Sequence, residues 1–181
     1  MLGRFGAVLL CVSVAACALE QPPPSTAQLP PFFYGALLDN DFGAINEASY
    51  LFGSPSRTKG DPVAALRAAI AIEYLAGELN TAPRWFRMSP ITKMDMLQAR
   101  TEMRRELGIR EDAPSQAVVN ALIAATADLM RGNRATAMQV FSSPLFVQPP
   151  QQTWAVLNDL PYMPAARAAS AEAEQQEFRN G

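Results

Sequence analysis

Histidine is absent from all 181 residues of the chain. The commonest general base and metal ligand is therefore missing, and a Ser-His-Asp triad is excluded. Thiols occur only at Cys11 and Cys17. Past residue 17 the chain holds no cysteine nucleophile, no disulfide and no thiolate metal site. Carboxylates are what remain. Asp39-Asn40-Asp41 opens like a calcium loop, but the glycine and distal glutamate of such a loop do not follow at the needed spacing. Helix capping accounts for it better. Glu47, with Ser49 and Tyr50 close behind, is a single acid, whereas glycan hydrolysis by carboxylates needs two. Glu102 and Glu106 share a helical face, with Arg105 and Arg110 at hand to neutralise them. No P-loop or dinucleotide fingerprint occurs. The sequence thus offers no catalytic set, no metal set and no cofactor motif.

One loop does offer a binding surface. In "PRWFRM", residues 83–88, two arginines flank two aromatics. Arg84 and Arg87 could clamp an anionic group while Trp85 offers a stacking face. The competing reading, which is preferred, has Trp85 and Phe86 plugging the core and the arginines facing water. Nucleic acid is not expected as a partner, because the net charge is −2 and phosphate binding needs a basic surface.

The two thiols sit in a stretch with its own logic. Arg4 precedes an apolar run from Phe5 to Val14, and small residues follow. That is the layout of a secretory signal, and the run is too short to favour a spanning helix. Ala16-Cys17-Ala18 fits the small-x-small rule of ordinary signal cleavage. Val14-Ala15-Ala16-Cys17 resembles the lipobox of bacterial lipoproteins: an aliphatic residue, two small ones and an obligatory Cys. Cys11 fails that pattern because Leu10 precedes it. The resemblance implies a diacylglyceryl thioether on Cys17, cleavage before it and acylation of the new amine. Valine at the first position departs from the more usual leucine. Ala18, rather than Asp, after the Cys implies the outer membrane, facing the periplasm. The expected division is a signal peptide at 1–16, a lipidated Cys and proline-rich tether at 17–31, and one helical domain at 32–181. Five prolines in the tether favour extended polyproline II, long enough to hold the domain about 40 Å from its anchor.

The elements that position the remaining side chains read as helices. Hydrophobic residues make up 49% of the chain, which suits one domain, and no stretch alternates with the period of a strand. Residues 41–52 form a helix capped by Asn40 or Asp41, with Phe42, Ile45 and Tyr50 inward. Residues 62–79 form a helix apolar nearly all round and hence central, capped by Asp61 with Pro62 at its first position. Residues 90–107 follow Ser89 and end at Gly108, with Ile91, Met94, Leu97, Met103 and Leu107 as the apolar stripe and Arg100, Arg104 and Arg105 as a basic side. Residues 114–131 and 134–141, joined through Gly132-Asn133, make an antiparallel pair. Short helices at 151–159 and 164–178 complete an all-α bundle. The last has few anchors and reads as frayed or waiting for a partner.

Within the pair, residues 117–149 resemble one tetratricopeptide unit, through Ala125, Gly132, Ala137, Phe141, Leu145 and Pro149. Pro144 departs from that pattern, since it falls where the second helix should continue, and one unit does not make a stable stack. Glu47 with Ser49 and Tyr50 loosely resembles the catalytic helix of lysozyme-like transglycosylases, whose remaining pattern is missing. The functional expectation is an exported, lipid-anchored protein with a binding or scaffolding role toward an envelope protein. A cell-wall glycan hydrolase using acidic residues is the alternative.

Overall fold

Each described α-helix begins close to where the sequence places a cap or a proline. The structure, a computed structural model, describes residues 25–180; the signal segment, Cys17 and the first part of the tether lie outside them. α1 (Asn40–Phe52) is capped by Asp39, one residue before the expected pair, whose Oδ1 accepts from the Asp41 N–H at 2.9 Å. α2 (Pro62–Thr81) is capped by Asp61, which accepts from the Ala64 N–H at 3.0 Å. α3 (Pro90–Leu107) starts at the Ser89 cap and stops at Gly108, which takes a left-handed φ of 67°. A side chain at Gly108 would strike Gln148, so glycine is required there both by conformation and by space. α4 (Ser115–Met130) turns through Gly132, also left-handed, into α5 (Arg134–Val140). α6 (Pro150–Asn158) and α7 (Pro164–Asn180) follow. Among the described residues there are no strands, only an isolated antiparallel bridge between Ile109 and Phe146.

α2 is the axis of the bundle. Thirteen of its twenty residues are buried, and it packs against α1, α3, α4 and α6. Its alanines let the neighbouring backbones approach closely, while Leu66, Ile70, Ile72, Leu75 and Leu79 are fully enclosed. Burial of each such large side chain stabilises the fold by about 1.5–3 kcal/mol. No described helix is long and apolar enough to cross a membrane.

Several expectations are corrected. Tyr50 does not enter the core; it is exposed, with the Arg57 guanidinium 4.2 Å from its ring. Ile91 and Met94 are likewise exposed, and α3 faces inward through Thr92, Met96, Ala99, Met103 and Leu107. The reason is α7. It is not frayed against solvent but packs on α1 and α3, burying Ala166, Ala169 and Ala173, so its small residues select the face of α3 that meets them. α5 is only seven residues long and ends before Pro144. Phe141 is buried nonetheless, edge-to-face with Phe146 at 5.5 Å.

The largest departure concerns the tether. Residues 25–30 are neither helix nor strand, and they lie on the domain as a strap. Ala27 and Leu29 are buried in the core, alternating with exposed neighbours. The backbone of Gln28 exchanges hydrogen bonds with the Gln116 side chain, at 2.7 and 3.1 Å. The Ser25 carbonyl accepts from Arg100 at 2.8 Å, and Asn40 donates to the Pro30 carbonyl at 3.0 Å. The strap crosses α2 at Gly77, where an added Cβ would sit 2.8 Å from the Ser25 oxygen and the Thr26 Cα. The segment expected as tether to residue 31 is therefore docked on the domain from Ser25 onward.

Candidate functional site

The arginine-aromatic loop is tied to the start of α1. Trp85 is buried, and its indole N–H donates to Asp41 Oδ2 at 2.9 Å. The Tyr74 hydroxyl of α2 donates to Asp41 Oδ1. Arg84 donates to both oxygens of Asp39 at 3.0 Å and to Asp41 Oδ2 at 3.1 Å. Its guanidinium lies 4.6 Å from the Phe42 ring centre and 5.1 Å from that of Trp85, and the two rings meet edge-to-face. Asp41 is thus a buried carboxylate satisfied on both oxygens.

The electrostatics follow from the crowding of acids around this hub. Burial and the Asp41 hydrogen bond push the Tyr74 hydroxyl above the ordinary tyrosine range. Burial, reinforced by Asp41, also raises Glu78. At Asp39, burial pulls the carboxyl upward but is outweighed by the Asp41 backbone N–H and by Arg84, so it lies below its usual range. Across on α7, burial and the neighbouring Glu174 push Glu177 up to about 7, and its Oε2 is enclosed without a hydrogen-bond partner.

The three residues named as a candidate binding surface are placed differently, and Trp85 follows the preferred reading in which it plugs the core. Trp85 offers no stacking face, because its indole fills the core and bonds inward. Arg84 is partly exposed, but its head group is held by two carboxylates. Arg87 remains exposed, beside Phe86, which is exposed rather than plugged.

A second cluster was not foreseen. Glu73 interrupts α2, and Arg104 was placed on a basic side of α3. Both are buried and form a two-point ion pair at 3.0 and 2.5 Å. The other three guanidinium protons reach the Arg110 and Glu111 carbonyls and the Ser115 hydroxyl. All five donors of Arg104 are used. Ser115 also accepts from Arg100 at 3.1 Å and donates to the Ser25 carbonyl at 3.2 Å. The strap therefore rests on the same network as the buried pair. Burial lowers the Arg100 guanidinium from its usual range, against the pull of Glu73. The signal that could have found this pair is an acid flanked by apolar residues midway along a helix apolar nearly all round, which must meet a cation on a neighbour.

Glu47 lies in a shallow cleft of about 320 Å³ with Tyr50, Asp61 and Arg67. Its carboxylate accepts from Arg67 Nε at 2.5 Å, and Ser49 donates instead to Glu174. Asp61 is occupied as the α2 cap. The Glu102–Glu106 pair does not act as a unit: Glu102 accepts from the Ala166 N–H, while Glu106 pairs with Arg105. A groove of about 500 Å³ surrounds the C-terminal end of α3 and is lined by Arg105, Ile109, Arg110, Asp112 and Val147. Arg110 and Asp112 pair across its rim at 2.5 Å. Among the described residues no three acids, histidines or cysteines converge as a metal site would need. No family model matches the chain, and neither a curated protein nor a solved structure does.

Proposed function

We propose that this chain is an exported bacterial lipoprotein, acylated on Cys17, whose helical domain has a binding or scaffolding role at the periplasmic face of the outer membrane. The anchor follows from Val14-Ala15-Ala16-Cys17. The observation that carries the binding role is how the domain spends its charged side chains. Asp41, Glu47 and Glu73 each accept from a guanidinium, which leaves none of them as a free acid-base pair for hydrolysis. The glycan-hydrolase reading therefore has no supporting geometry at Glu47. The α3-end groove, open and rimmed by both charges, is the surface offered to an envelope partner.

Membrane fractionation of cells making the full chain tests the anchor. The wild type is expected in the envelope pellet, released by detergent and not by salt, and the Cys17→Ser chain in the soluble periplasmic fraction. Wild type and variant distributing alike would overturn the reading.

A further inference from the structure

The exposed large apolar side chains are not scattered evenly. Phe86 is 75% exposed, and Ile91 and Met94, one helical turn apart on α3, are 70% and 68% exposed. Leu37 and Leu38 are exposed in the turn before α1. The Arg84–Asp39 pair ties that turn to the Phe86 loop, and the loop leads through the Ser89 cap into Ile91. Phe32, at the end of the strap and a few residues before that turn, is 68% exposed at a φ of 60°. A left-handed conformation is unfavourable for a bulky residue, because its Cβ crowds the following carbonyl. The strain here holds an aromatic ring in solvent rather than in the core. Arg87 and Lys93, next in sequence to Phe86 and Met94, add cationic heads. The other end of the strap, Ser25, is fixed to Arg100 on the same helix.

We propose that this apolar end of the bundle rests on the lipid surface, with Phe86, Ile91 and Met94 entering the acyl boundary and Arg87 meeting lipid phosphates. The inference rests on the Cys17 anchor proposed above. Eight residue steps separate Cys17 from the fixed Ser25, a span of no more than about 29 Å even when fully extended. A domain tied that closely has its strap-bearing end at the membrane. An exposed apolar patch with flanking cations is the composition that binds the interface. A protein partner would compete for the patch with the lipid already held beside it.

The test uses the chain from residue 17 onward, in which Cys17 is the only thiol. That thiol is coupled to maleimide lipid in phosphatidylethanolamine–phosphatidylglycerol vesicles. Phe86→Trp, Met94→Trp and Met130→Trp are compared after subtraction of the unsubstituted chain. Met130 is exposed at the far end of α4. Bilayers with brominated acyl chains are expected to quench positions 86 and 94 several-fold more than position 130, with a blue shift at both. Quenching at 86 and 94 no greater than at 130 overturns the proposal. Because the coupling is chemical, that failure is separate from failure of the anchor, which would appear as unacylated Cys17 in the native protein.

Discussion

At the scale of single residues, the side chains that matter most are polar groups inside the bundle. Asp41 serves Tyr74, Trp85 and Arg84 together. Asp41→Ala strands two buried donors and one cation, and is expected to lower unfolding stability by about 2–4 kcal/mol in a denaturant melt. The Glu73–Arg104 pair makes a sharper case. Arg104→Met leaves Glu73 buried and uncompensated, a loss of about 3–5 kcal/mol, while adding Glu73→Leu should restore much of it. A double variant no better than the single would show that the carbonyl contacts of Arg104, not its charge pairing, dominate. Glu177 supplies a pH dependence. Its folded value near 7 lies above its ordinary value of 4.5, so the folded state holds the proton more tightly. Its contribution is fully present below about pH 4.5 and is lost as pH rises through 7. Glu174, Asp39 and Arg84 are the charged groups that face it. Glu177→Gln is therefore expected to raise the melting temperature at pH 8 and to leave it unchanged at pH 4, with a gain below about 1 kcal/mol because the group is half exposed. None of these roles is visible in local spacing. Asp41 looks like a cap and Arg104 like surface charge until α2 brings Tyr74 and Glu73 to them.

At the scale of elements, caps and prolines made the helices legible. Asp61-Pro62, Ser89-Pro90 and Gly108 mark ends that the structure keeps, because these signals act within one turn of the chain. Facing was harder to read. Ile91 and Met94 look like an inward stripe, but the alanine-rich α7 meets α3 at Thr92 and Glu102, and hydrophobicity alone does not say which face a distant helix will cover. The strap was misread for a related reason. Proline content argues against a helix, yet a non-helical segment docks when a helix offers it a groove. Gly77 supplies that groove. In a helix interior Gly→Ala normally stabilises by about 1 kcal/mol. Gly77→Ala should instead destabilise the protein and expose residues 25–30 to hydrogen exchange, because its Cβ would occupy the place of the Ser25 and Thr26 backbone. A stabilised variant with unchanged protection would mean that the strap is not seated there.

At the scale of the whole molecule, the docked strap changes what the anchor implies. The tether read as free to residue 31 gives a reach of about 40 Å, whereas fixation at Ser25 shortens the span from Cys17 to about 29 Å at most. With the proposed lipid on Cys17, the domain would be a body held near the membrane, its apolar end toward the lipid as inferred above. The α3-end groove lies about 25 Å along the same helix, by its 18 residues. Everything in that arrangement depends on whether the thiol of Cys17 carries lipid. Mass spectrometry of the mature N-terminus, purified from membranes of the producing cell, tests this most directly. A terminus at Cys17 with the added mass of a diacylglyceryl group, lost in Cys17→Ser, is the expected result; an unmodified terminus beginning at Leu19 would rule the anchor out.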